Sequence, residues 1–152
     1  MKKLFAILMT VAMFATLSVS VFAANTIGGE ADITTSIAPT YTVTIPADVN
    51  VQFNATETAF GTIEVTASQI HPDKCIKVSL TTDNKLENSI DATKVISYAI
   101  KDSAGAAFTS ATYLTEGDKT ELSIHITADD WNAAYAGDYS DTVTFTVSYE
   151  SK

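Results

Sequence analysis

The sequence predicts an all-β protein, a two-sheet antiparallel immunoglobulin-like sandwich of seven to eight strands. Three observations lead there. Thr, Val, Ile and Tyr recur throughout residues 39–150, apolar and polar residues alternate with period two, and the alternating runs are short and separated by turn residues. Alternation on one side only suits a sandwich strand, which faces the core on one side and water on the other. A small barrel would be patterned alike, so the sequence leaves both architectures open.

The first element precedes the sandwich. Met1-Lys2-Lys3 is a basic block, residues 4–17 carry no charge, and Ser18-Val19-Ser20-Val21-Phe22-Ala23 ends in a small side chain. That order predicts a secretory signal peptide over residues 1–23, cleaved after Ala23. The apolar block is shorter than the ~20 residues of a spanning helix. No cysteine marks the cleavage site and no apolar tail follows Glu150-Ser151-Lys152. The protein is therefore expected to be secreted or associated with the cell surface, with no stable membrane insertion after cleavage. Residues 24–38 read as a flexible leader or a first edge strand, with Gly28-Gly29 as a joint and Ile33 and Ile37 as weak strand positions.

Residues 39–150 carry the strands. In Thr40-Tyr41-Thr42-Val43-Thr44-Ile45, Tyr41, Val43 and Ile45 share one face and Pro46 ends the run. Residues 49–53, 61–66 and 76–81 alternate in turn, the last with Ile76, Val78 and Leu80 inward and Cys75 and Lys77 opposite. Residues 95–101 place Ile96, Tyr98 and Ile100 together, residues 111–114 form a short weak strand, and Leu122, Ile124 and Ile126 alternate with Glu121, Ser123 and His125. The clearest run is the last, where Tyr139, Val143, Phe145, Val147 and Tyr149 share a face. Residues 83–93 read as a long hydrophilic loop, and Asp102-Ser103-Ala104-Gly105 and Glu116-Gly117-Asp118-Lys119 as hairpin turns. Thr127 or Ala128-Asp129 is expected to cap one helical turn, with Trp131 and Tyr135 four residues apart.

Composition narrows the function. A chain of this length is one domain, able to bury roughly two thirds of its unfolded surface. The net charge is −9 with 18 acids, and loss of Lys2 and Lys3 with the leader leaves 7 lysines and a charge of −11. The chain has no arginine. Nucleic acid and acidic membrane surfaces are thereby excluded as partners. The single cysteine, Cys75, cannot form an internal disulfide. It reads either as a buried or inert thiol or as an intermolecular link.

The run Ala136-Gly137-Asp138-Tyr139-Ser140-Asp141-Thr142-Val143-Thr144-Phe145-Thr146-Val147 resembles the closing Ala-Gly-x-Tyr-x-Asp-x-Val-x-x-x-Val segment of spore-coat-protein-U-like and archaic pilin-like subunits. Tyr41-Thr42-Val43-Thr44-Ile45-Pro46 resembles the first core strand of such domains. The resemblance implies a bacterial surface or extracellular structural role, pilus-like or adhesin-like, and carries over no catalytic residue. It departs in cysteines, which are often paired in spore-coat-U-like domains. It departs equally from wall-binding domains of the Trp-x-Leu type, because Ala133 stands two residues after Trp131.

No catalytic constellation is expected. The two histidines, His71 and His125, lie in a turn and on the polar face of a strand; no Gly-x-Ser-x-Gly elbow or Gly-rich phosphate loop is present. Paired carboxylates, as glycoside hydrolysis uses, arise by chance on so acidic a surface. His71 and Cys75 supply two zinc-type ligands where a closed site needs four. No cofactor is expected beyond calcium, for which Asp129, Asp130, Asp138 and Asp141 are the candidate ligands near one end. Trp131, Tyr135 and Tyr139 are candidates for a sugar-stacking platform, set against a plug in which Trp131 and Tyr135 cover the bottom of the core and Tyr139 joins the inner row of its strand. The function predicted is a non-enzymatic structural or interaction domain, joined to a protein partner or to itself by strand addition. The alternative is a carbohydrate-binding module that takes a glycan on the end-loop aromatics.

Overall fold

Alternating apolar residues become deeply buried where a second layer or a covering segment lies over them, and this rule organises the fold. The computed structural model describes residues 30–152. The predicted signal peptide, residues 1–23, lies outside them, as does the Gly28-Gly29 joint. The compact unit runs over Ser36–Lys152. Its elements are β1 (Thr40–Thr44), β2 (Glu57–Gln69), β3 (Lys74–Thr81), β4 (Lys85–Asn88), β5 (Val95–Ser97), β6 (Ala99–Asp102), β7 (Ser110–Tyr113), β8 (Lys119–His125), α1 (Ala128–Ala133), β9 (Tyr139–Ser140) and β10 (Thr144–Ser151).

The strands form three antiparallel sheets with orders β1-β2-β8-β6, β10-β3-β7 and β5-β4-β9. The first two supply the layers of an open sandwich rather than a barrel. Ile63, Val65, Ile100, Leu122 and Ile124 come from the first sheet and Ile76, Val78 and Tyr113 from the second, in one apolar cluster. Ile63 and Val65 in β2, and Ile76 and Val78 in β3, are fully buried because both strands are central.

The third, smaller sheet arises because two predicted strands are each broken in two. Residues 95–101 bend at Tyr98, so β5 joins the small sheet while β6 joins the first layer. The closing run breaks over residues 141–143, so β9 joins the small sheet and β10 the second layer. The Tyr98 hydroxyl donates to the Asp141 carboxylate, and the Thr82 hydroxyl donates to the same oxygen at 3.2 Å. One polar knot thus fixes both breaks. Burial and the neighbouring carboxylate hold the Tyr98 hydroxyl well above the usual tyrosine range.

Several expectations need correction. The described residues hold ten strands, of two to 13 residues, rather than seven or eight. Residues 49–53 alternate but form no strand, since no partner edge lies beside them, and Phe53 points to solvent. The predicted loop over residues 83–93 contains β4. Residues 30–39, which include Ile33 and Ile37, hold no strand and are exposed. Of the two readings of Cys75 the buried one fits: it faces away from Ile76, with its thiol toward the Ser151 carbonyl at 4.0 Å. That burial disfavours an intermolecular disulfide through it.

The two long sides of the sandwich differ. On one, residues 107–109 strap the layers together: the Phe108 N–H donates to the Ile100 carbonyl at 2.9 Å, and the Leu80 N–H donates to the Thr109 carbonyl at 2.8 Å. On the other, β1 and β10 are both edge strands. No backbone hydrogen bond joins them among the described residues, and the layers meet there through ring contacts, Tyr41 with Tyr149 at 5.8 Å and Phe60 with Phe145 at 5.9 Å.

Candidate functional site

The open side holds a groove of about 500 Å³. The chain after β1 (Ile45, Pro46, Val49) forms one wall and the start of β10 (Val143, Phe145) the other, and Phe60, Ile100 and Ile124 line it from the core. Local chemistry builds the first wall. Pro46 cannot continue a ladder, and it packs on Gly61, which has φ +136° at a bulge in β2; a Cβ there would lie 3.1 Å from the Pro46 Cβ. The second wall begins where Asp141 is tied to Tyr98. Val147 stands in the inward row of β10 yet is 38% exposed, with no described segment covering it on this side.

A second, larger groove of about 1020 Å³ adjoins the first at Val49, Val51, Leu86 and Asp141. Its walls are the loop through Asn50 and Phe53, the C-terminal part of α1, and the turn leading to Tyr139. Thr127 caps α1 by accepting from the Asp130 N–H at 3.1 Å. The next turn uses the Ala136-Gly137 pair of the closing motif. Gly137 has φ +143°, and a Cβ there would lie 2.6 Å from the Asn88 amide nitrogen. Asn88, the one buried polar residue among those described, accepts from the Ile90 N–H at 2.9 Å. The Tyr139 hydroxyl meets the Tyr135 N–H at 3.1 Å and carbonyl at 3.0 Å, a backward tie of the tyrosine-corner kind found in sandwich folds.

The predicted aromatic trio therefore divides. Trp131 donates its indole N–H to the Ala55 carbonyl at 2.9 Å and packs on the core. Tyr139 also packs on the core, so these two are framework, whereas Tyr135 does not cover the core as the plug reading expects. Tyr135 is 63% exposed, with the Lys94 ammonium 4.9 Å from its ring centre. Phe53, 77% exposed, meets Trp131 edge-on at 5.6 Å between ring centres. Sequence reasoning missed Phe53 because it read as part of a strand.

The four aspartates proposed for calcium are not gathered. Asp130 takes the Thr127 hydroxyl and Asp141 serves Tyr98 and Thr82. Among the described residues no group of three or more His, Cys, Asp or Glu side chains is placed to hold a metal ion. His71 and Cys75 are likewise separated in character, His71 exposed and Cys75 buried. Nε2 of His125 lies 3.0 Å from the Ser123 hydroxyl and 3.8 Å from Glu57. Hydroxyl and carboxylate meet the same ring nitrogen, so the imidazole cannot relay a proton between them as a catalytic triad requires.

Depressed carboxyl pKa values have structural causes. Asp118 accepts from the backbone N–H groups of Leu114 (2.8 Å) and Thr115 (2.9 Å), which lower its pKa. Asp91 is lowered by the Thr93 hydroxyl and backbone N–H, and Glu150 by the Ser148 hydroxyl and, less strongly, Lys77. Each such carboxylate holds a turn or a strand end.

Among the described residues no helix is long and apolar enough to cross a membrane. No protein-family model and no curated protein matches the chain. Among solved structures the chain is similar to one described as a chaperone-tip adhesin complex vital for synergistic activation of CFA/I fimbriae biogenesis, with 12% identity and a TM-score of 0.48. The match covers 74% of this chain, which in turn spans 43% of that longer one.

Proposed function

We propose that the protein is a secreted, non-enzymatic structural or interaction subunit of a surface assembly, and that it joins its partner by β-strand addition along β10. One observation carries the reading. β10 is eight residues long, pairs among the described residues only with β3, and borders a groove lined by core side chains. An added strand completes such a ladder through main-chain hydrogen bonds, while its alternate side chains fill the pockets. Proteins usually blunt a long free edge with charge, proline or a covering loop. β10 has only Glu150 near its far end.

The donor in this reading is the leader of a second copy. Residues 30–39 are unpaired and exposed, and Ile37 is 62% exposed. Ile33, Thr35 and Ile37 stand at alternate positions, so an extended leader presents them on one face.

Electron microscopy and size-exclusion chromatography of the secreted protein are expected to show chains of subunits, and deletion of residues 24–37 to leave monomers. A truncated protein that still assembles would refute donor exchange, and an intact protein that stays monomeric at every concentration would refute self-assembly.

A further inference from the structure

We infer that the larger groove, flanked by Phe53 and Tyr135, binds a neutral oligosaccharide. The inference does not rest on strand addition, because neither ring lines the β1–β10 groove.

Large rings left in water are informative when they share one concave site rather than lying scattered. Phe53 and Tyr135 are more than half exposed and line one groove from different walls. Neither is a loose side chain. Phe53 is set edge-on against Trp131, itself tied to Ala55, and the Tyr135 backbone is tied by the Tyr139 hydroxyl while Lys94 approaches its ring. Preorganised rings lose little freedom when a flat apolar ligand face settles on them. Trp131 and Tyr139 spend their polar atoms in building this frame, so the contact is left to Phe53 and Tyr135.

The polar lining selects the ligand class. Asn50, Asn132 and Asp138 line the groove, and their side chains hydrogen-bond to no other described residue. Amides that donate and accept, beside a carboxylate that accepts, match hydroxyl groups, which do both. Apolar ring faces with hydroxyl-matched groups beside them describe a pyranose. Charge disfavours the anionic members of that class: Asp138 and Asp141 line the groove and the whole chain carries −9, against the Lys94 ammonium at the Tyr135 ring. The groove volume of about 1020 Å³ lies at the upper end of ordinary ligand sites, which suits several linked sugars rather than one.

The test titrates the purified full protein with cellohexaose, chitohexaose, mannohexaose and maltohexaose, with a polyuronate as the anionic control, by calorimetry and chemical-shift mapping. At least one neutral hexasaccharide is expected to bind and to shift the Phe53 and Tyr135 resonances, and the polyuronate is expected not to bind. Phe53→Ala and Tyr135→Ala should each weaken binding about tenfold. Both side chains are exposed, so both variants should keep the parent melting temperature and any assembly. The inference is overturned if no neutral hexasaccharide binds, if the polyuronate alone binds, or if binding survives both substitutions. Deleting residues 24–37 is expected to leave sugar binding intact, so failure here and failure of strand addition are read separately.

Discussion

The two long sides of this sandwich are built from similar side chains and end in opposite states. On the strapped side, Ile100, Phe108 and Tyr113 are buried and backbone hydrogen bonds run from layer to layer through residues 107–109. On the open side, Tyr41, Val147 and Ile45 come from equally regular alternation, yet each keeps more than a third of its surface in water. The side chains do not make the difference; a missing neighbour does. Edge position alone does not decide it, since β6 and β7 are edge strands too; residues 107–109 cover their side, and no described segment covers the side of β1 and β10.

The comparison can be broken most forcefully at Phe108. Phe108→Ala is expected to cost about 3–5 kcal/mol in urea unfolding, because it empties a packed site. Val147→Ala in the uncovered row should cost under about 1 kcal/mol. Equal losses at the two positions would mean that the open side is as well packed as the strapped one. A smaller effect sharpens the contrast at the groove wall. Gly61→Ala should cost about 1–3 kcal/mol, through its positive φ and the close approach of Pro46. Restoration of the parent melting temperature by an added 30–39 peptide would show that the displaced wall is the one the leader uses.

The smallest effect concerns acid. Asp118 secures the turn between β7 and β8, where the Gly117 N–H donates to the Val65 carbonyl and the Val65 N–H to the Asp118 carbonyl. Its carboxyl pKa is depressed in the folded protein, so its stabilising contribution is complete above the unfolded value near 4 and fades as the pH falls through the folded value. Melting curves from pH 7 to pH 2 should show a shallower acid loss in Asp118→Asn than in the parent. Parallel curves would assign the acid sensitivity to other carboxylates.

Legibility in the sequence follows the same division. Central strands β2, β3 and β8 announce themselves, since one face of each must be apolar to fill the core. β4 does not, because Lys85-Leu86-Glu87-Asn88 has one apolar residue and is defined by its non-local partners β5 and β9. The breaks at Tyr98 and at residues 141–143 were hidden for a related reason: the bond that fixes them joins positions 43 residues apart. At the groove, Trp131, Tyr135 and Tyr139 were visible as an aromatic cluster, but their roles depend on the Ala55 carbonyl and the Tyr135 backbone as hydrogen-bond partners. Phe53 was visible only as one more residue in an alternating run.

The register of the two edge strands has a mechanical consequence. Thr40 pairs with Gln69 and Ser151 with Lys74, so the backbone enters and leaves the folded unit at one end, beside the turn over residues 70–73. Tension applied between those points would peel β1 and β10 from their partners one rung at a time, the compliant way to load a ladder. A strand seated between them and pulled along its own length would instead strain every rung at once, so occupying the open side would convert a weak link into a stiff one.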